Sequence, residues 1–187
     1  LLLRARIELD AGDLDAGLAL LVEAETRYPD SPQASLARVS TLLQEDRVDD
    51  ARAVVEQAIR GAGSQERRQQ LAVLAAGIEI THGDADSGFA RLHGLLAADP
   101  LDAELRGTLA QGLQLAGRIE EAVELIREGL TLDPGQPALF AVLAQAELAA
   151  GRPGEAEEAL QGMIALADSP SARLLLARVR IFDGRRE

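Results

Sequence analysis

The sequence predicts an all-α protein, a solenoid of about five antiparallel helix pairs followed by a terminal helix. Three observations carry this. The turn-type residues Gly12, Asp46, Gly83, Gly117, Gly151 and Gly184 recur at spacings of 34, 37, 34, 34 and 33 residues. A fixed period in this range belongs to stacked supersecondary units, not to one globular core. Between the turns, apolar residues recur every three or four positions, the period of a helix face. The composition is 47% hydrophobic but only 2% aromatic, so the core must be built from Leu, Ala, Val and Ile, and the abundance of Ala and Leu favours helix.

The units follow in order. The first, 1–31, turns at Gly12 and closes at Pro29. Its opening, Leu1-Leu2-Leu3-Arg4, is in phase with the repeat and reads as a cut edge within a longer protein. The second, 32–68, turns at Asp46 and carries about three extra residues around Gly61-Ala62-Gly63-Ser64, expected as a longer loop. The third, 69–102, turns at Gly83 and closes at Pro100. The fourth, 103–136, is the most regular. Leu105, Leu109, Gly112, Leu113 and Ala116 form one helical face, and Gly117 ends that helix because glycine reaches left-handed angles without a Cβ penalty. Ile119, Ala122, Ile126, Gly129 and Leu130 form the next face. Glu120, Glu121 and Glu124 lie near that helix's positive N-terminal end, and Asp133-Pro134 closes the unit. The fifth, 137–169, turns at Gly151. Residues 170–184 read as a lone cap helix, with Leu174, Leu175, Leu176 and Val179 expected against the preceding unit.

Counting from Ala103 as position 1, position 8 holds Ala5, Val39, Ala76, Ala110, Ala144 and Ala177, and position 20 holds Gly17, Ala51, Gly88, Ala122 and Ala156. Small residues are needed where two helices cross closely. Together with the period, the turn glycine and the closing proline, this pattern resembles the tetratricopeptide repeat. The resemblance covers the whole chain and implies a right-handed superhelix. Two departures stand out: Arg4 and Arg38 occupy a normally apolar position, and position 11 holds Glu8, Leu42, Glu79, Leu113 and Glu147 in place of the usual aromatic.

Composition excludes several functions. The net charge of −12 repels phosphate backbones, so nucleic acid is not an expected partner. The absence of Cys removes disulfides and thiolate chemistry. No run approaches the roughly 18 uninterrupted apolar residues of a membrane span, so no membrane insertion is expected. Lys and Asn are absent; their codons are AT-rich, which points to a GC-rich bacterial source. His82 and His93 stand eleven residues apart without converging ligands, so neither a metal nor another cofactor is expected. Glu120-Glu121 and Glu157-Glu158 read as solvated helix faces, and no catalytic constellation appears.

The resemblance further implies that the first helix of each pair lines a concave groove. The residues at those positions, and so the candidate partner-binding set, are Arg6, Ser40, Gln44, Gly77, Thr81, Gln111, Gln114, Gln145, Leu148 and Arg178. Other matched positions include Leu174, Ile181 and Phe182. This surface mixes apolar patches with Gln, whose amide both donates and accepts. Repeats that clamp acidic C-terminal tails use Lys and Asn, which this chain lacks. The segment Arg173–Arg186 is locally basic, with Arg173, Arg178, Arg180, Arg185 and Arg186 against Asp183, and suits an acidic neighbour or a solvated helix end.

The leading functional expectation is a non-catalytic scaffold that holds a protein or peptide partner. Analogy with similar bacterial arrays implies a setting in envelope, secretion or polysaccharide assembly. The alternative is the substrate-recruiting arm of a larger glycosyltransferase, sulfotransferase or hydroxylase. A third reading is self-association through exposed array ends.

Overall fold

The computed structural model describes residues 1–28, 31–182 and 184, the side chain of Phe182 excepted. Pro29, Asp183, Arg185 and Arg186, and the groove position expected of Phe182, therefore lie outside the described residues. Among the described residues there are eleven α-helices and no strand. They are α1 Leu2–Asp10, α2 Leu14–Arg27, α3 Pro32–Gln44, α4 Val48–Gly61, α5 Gln65–His82, α6 Ala85–Ala98, α7 Ala103–Leu115, α8 Ile119–Leu132, α9 Pro137–Ala149, α10 Pro153–Leu166 and α11 Pro170–Phe182. The fold is all-α, built from antiparallel pairs joined by short turns. It divides into two compact units, Leu1–Asp84 and Ala85–Glu187.

One turn geometry recurs. At Gly12, Gly117 and Gly151 the backbone is left-handed, with φ of 85°, 76° and 73°, and Asp46 adopts it at φ 57°. In all four turns the next residue's N–H donates to the carbonyl five back: Asp13 to Glu8, Arg47 to Leu42, Arg118 to Leu113 and Arg152 to Glu147, at 2.8–2.9 Å. This bond satisfies a carbonyl that the helix end would otherwise orphan. Gly83 differs. Its φ is −149°, ordinary extended backbone, and the Arg52 guanidinium lies where a Cβ would sit. Starts are equally local: Pro32, Pro137 and Pro153 occupy the first helical turn, where a missing N–H costs nothing. The Asp13, Ser64 and Asp102 side chains accept the N–H groups of Ala16, Arg67 and Leu105.

Within the first unit, α1 packs on α2, α2 on α3, α3 on α4 and α4 on α5. Its core gathers Val39, Leu42, Ala51, Val54, Val55, Ala75 and Ile78. The expected crossing residues Ala5, Ala51 and Ala76 are fully buried, and a Cβ on Gly17 would strike Leu9. α5 begins at Gln65 because Ser64 caps it, so the extra residues lengthen this helix to 18 residues instead of forming the expected longer loop, and the expected boundary between residues 68 and 69 falls one turn inside it. Arg38, at a normally apolar position, is accommodated by a 2.8 Å ion pair with Glu25.

Within the second unit, α6 packs on α7, α7 on α8 and α9, α8 on α9, α9 on α10 and α10 on α11. Leu109, Ala110, Ala122, Ile126 and Ala156 have no exposed surface. Two charged residues are buried beside them. Arg106, 2% exposed, donates to the carbonyls of Pro100 and Leu125 at 2.9 and 3.0 Å, and to Glu128 at 3.3 Å. Its path crosses the point where a Cβ on Gly129 would sit. Glu147, with no exposed surface, accepts from Arg127 at 2.7 Å and Arg152 at 2.6 Å. A buried charge is tolerable only when paired and hydrogen-bonded.

The pairs are stapled by a second repeating device. Arg118, just after the Gly117 turn, reaches Asp86 at the start of α6, 3.0 Å away. Arg152, after the Gly151 turn, reaches Glu120 at the start of α8, 2.9 Å away. Both links span 32 residues, joining one pair to the next. Arg118 also forks onto Glu121 and lies 4.8 Å from the centroid of Phe89. These contacts hold the Glu120 and Glu121 carboxyls below the usual range, chiefly through the hydrogen bonds from Arg152 and Arg118.

The terminal helix corrects one expectation. Leu174 and Leu175 are exposed, at 62% and 40%, and Ala177 is exposed as well. The packed face is Ala172, Leu176 and Val179, one helical stripe at i, i+4 and i+7. Leu174 and Leu175 precede and flank that stripe by 100° steps, so they turn away from α10.

Candidate binding surfaces

Every candidate partner-binding residue lies on a first helix, and all but Gln114 are exposed. In the first unit, Arg6 pairs with Asp10 at 3.8 Å along its own helix. Ser40 and Gln44 face solvent on α3. The Thr81 hydroxyl donates to the Gly77 carbonyl at 2.7 Å, so its donor is consumed by its own helix. A Cβ on Gly77 would meet nothing within 4 Å, which leaves this stretch of α5 flat.

In the second unit, Gln111 and Gln114 lie on α7, and Gln145 and Leu148 on α9, two helices that pack on each other. Gln111 and Gln145 are exposed, and Leu148 is 38% exposed. Leu115 adds an apolar side chain 82% exposed. Gln114 is half-buried, and its Nε2 is shielded from solvent without a hydrogen-bond partner. This face is uncharged at all four positions. The carboxylates of the same pairs concentrate on α8 (Glu120, Glu121, Glu124, Glu128) and α10 (Glu155, Glu157, Glu158).

Arg178 is exposed on α11, but its basic neighbours are largely neutralised. Arg173 forks onto Asp168, which holds that carboxyl below the usual range. Arg180 donates twice to Glu157, at 3.0 and 3.2 Å. The described part of the basic segment is thus a set of local ion pairs rather than an open cationic patch. Among the described residues no group of three or more His, Asp or Glu could hold a metal ion, and no helix is long and apolar enough to cross a membrane.

The sequence singles out the exposed positions of the first helices but not the buried charges. Glu147 reads there as a departure at position 11, and nothing local marks Arg106. The separation of Arg118 from Asp86, and of Arg152 from Glu120, is the one signal of the staples that the sequence carries: one repeat, less two residues.

These features, antiparallel pairs, one repeated turn and small crossing residues, define a helical-repeat protein of the α-solenoid class. Tetratricopeptide repeat families match residues 2–66, 79–146 and 137–161. The chain belongs to the tetratricopeptide repeat family. No curated protein matches it. Among solved structures it is similar to TTC0263, a thermophilic TPR protein of Thermus thermophilus, at 18% identity over 96% of this chain and 97% of that one, with a TM-score of 0.58. It is similar to the C-terminal part of a TPR repeat-containing protein from Cytophaga hutchinsonii, at 13% identity over 98% and 72%, with a TM-score of 0.62. It also resembles YrrB, described as a TPR protein with an unusual peptide-binding site, at 16% identity over 95% and 90%, with a TM-score of 0.54. At these identities the likeness shows the fold.

Proposed function

We propose that this protein is a non-catalytic scaffold that holds a peptide segment of a partner protein on the first-helix face formed by α7 and α9. The observation that carries the reading is the unpartnered Gln114 Nε2, on a face that also presents exposed Gln111, Gln145, Leu115 and Leu148, with Glu104 at its edge two turns before Gln111. A shielded donor without an acceptor costs about 1–3 kcal/mol, and a rotation of the half-buried Gln114 side chain that presents Nε2 to a peptide carbonyl would recover that. Leu115 and Leu148 offer apolar area beside it. The lack of charge suits a neutral or apolar segment, because an acidic chain would otherwise repel acidic peptides along α8 and α10. The peptide-binding site named for YrrB, a protein of the same fold, adds support. A preformed helical surface gives up little conformational entropy on binding.

The test is to pan a random peptide library on the immobilised chain and measure the recovered peptides by fluorescence anisotropy. Replacing Gln111, Gln114 and Gln145 together by Glu is expected to weaken binding by tenfold or more, from roughly 0.5–1.5 kcal/mol per lost hydrogen bond. Unchanged affinity in an equally helical variant would remove this face as the site.

A further inference from the structure

The first unit contains a cavity of about 230 Å³ bounded by α3, α4 and α5. Val39, Val55, Leu71 and Leu74 line it with apolar surface beside Ser35 and Ala58, and Arg67 is the only charged residue among the described residues that line it. The reason it is open can be read from the other pairs. In the fourth pair the corresponding space, between repeat positions 4 and 27, is filled by the protein itself: the Arg106 side chain passes over Gly129. In the fifth pair the Phe140 ring, also from position 4, lies over Gly162 at position 26, beside Met163 at position 27, its Cε1 2.6 Å from where a Cβ would sit. In the second pair position 4 is Ser35, too short to cross the gap, and position 27 is Ala58. The fold thus leaves unfilled, in this pair alone of the three, a socket that elsewhere takes an arginine or a phenylalanine.

The mouth has a charge to match. The extra residues around Gly61–Ser64 let α5 start one turn early, and that added turn carries Arg67 and Arg68. The Arg68 guanidinium is spent on the Ala62 carbonyl and Gln65. Arg67 is half-buried, and its guanidinium has no hydrogen bond or ion pair to any described residue, whereas Arg38, Arg47, Arg118, Arg127, Arg152 and Arg173 each hold a carboxylate. α3, which forms one wall, contains no acidic residue.

We infer that this socket receives an aromatic side chain of a partner peptide, with a carboxylate next to that residue held by Arg67. Size agrees: an apolar cavity of roughly 150 Å³ already admits benzene. Shape agrees, because at the neighbouring position of the fifth pair a phenyl ring, Phe140, packs between the two helices over Gly162. Charge agrees, because a half-buried guanidinium favours a carboxylate it can bind through two parallel N–H donors. The inference rests on the scaffold reading for its biological sense but concerns a separate surface, on the other compact unit.

The probe is 3-phenylpropionate, which joins a phenyl ring to a carboxylate, with neutral 3-phenylpropanamide as its control. Both are titrated to millimolar concentrations into the methyl-labelled full chain and followed by NMR. Shifts are expected at the Val39, Val55, Leu71 and Leu74 methyls, with the carboxylate binding more tightly than the amide. Arg67→Gln is expected to weaken phenylpropionate about tenfold, the effect of one charge-assisted hydrogen bond, while leaving the amide unchanged. Ser35→Phe should abolish both by filling the socket from position 4, and the fold already takes phenylalanine at this repeat position, as Phe140. No shift at these methyls in the wild type would overturn the inference. So would equal binding of acid and amide, or titrations unaltered by both substitutions in folded variants. Leu115 and Leu148 report the α7–α9 face independently, so failure of the socket and failure of the scaffold surface are read separately.

Discussion

Gly129→Ala is the substitution whose effect runs against helix propensity. In an exposed helix interior, glycine to alanine stabilises by roughly 0.5–1 kcal/mol. At Gly129 the new Cβ would fall against the Arg106 Cδ, 2.7 Å from its Nε and 3.1 Å from Leu139 Cδ1. The aliphatic stem cannot swing aside freely, because the guanidinium is fixed by the carbonyls of Pro100 and Leu125. Overpacking of this kind costs about 1–3 kcal/mol, and each strained bond from a charged donor puts a further ~1.5–3 kcal/mol at risk. The net expectation is a loss of roughly 2 kcal/mol, a fall in melting temperature of about 4–8 °C for a chain of this size. Circular dichroism melts of four proteins test the cause: wild type, Gly129→Ala, Arg106→Ala and the double variant. With Arg106 gone its clash is gone and Leu139 can yield the few tenths of an ångström it must into the vacated space, so adding Gly129→Ala to Arg106→Ala should be neutral or stabilising. Gly77→Ala is the control, since a Cβ there meets nothing within 4 Å, and it should gain roughly 0.5–1 kcal/mol. A Gly129→Ala protein that melts at or above the wild type would refute the reasoning.

Other outcomes follow from the same geometry. Asp46→Gly should stabilise by up to about 1 kcal/mol, because Asp46 is held at φ 57° where three other turns use glycine; chemical denaturation reads this directly. Glu147→Ala should cost about 2 kcal/mol, since it empties a buried position and removes the hydrogen bonds from Arg127 and Arg152, which themselves keep solvent access, with Glu147→Gln recovering part of the loss in the same denaturation assay. Acid should weaken the second unit in a defined direction. Glu120, Glu121 and Asp168 have carboxyls held below their ordinary values of 4.5 for Glu and 3.8 for Asp. Their contribution is complete above those values and is lost as pH falls through the lowered ones. The gap in melting temperature between wild type and a Glu120→Gln/Glu121→Gln/Asp168→Asn variant should therefore be open at neutral pH and close in acid.

The helix pairs are legible in the sequence because their signals are local. Gly117 and Gly151 mark the turns, Pro137 and Pro153 the starts, and Ala110, Ala122 and Ala156 the close crossings, each decided by backbone sterics within a few residues. The buried charges are not legible. Whether Arg106 is solvated or buried depends on Pro100, Leu125 and the missing Cβ of Gly129, which only folding assembles. Glu147 looks out of place for the same reason, since its partner Arg127 is supplied by another helix. The terminal helix departs from expectation because four apolar residues in near succession cannot all face one neighbour; only the 172, 176 and 179 stripe does. The exposure of the first-helix positions follows from the resemblance. The socket under Arg67 does not, because an unfilled space is visible only by comparing what Ser35, Arg106 and Phe140 do in three dimensions.

The central claim is that the first-helix face around Gln111, Gln114, Gln145 and Leu148 is the surface on which a peptide is held. Hydrogen–deuterium exchange of the full chain, with and without a panned peptide, tests it most directly. Added protection is expected over 111–115 and 145–149, with α8 and α10 unchanged. Protection confined to α8 and α10 would contradict it.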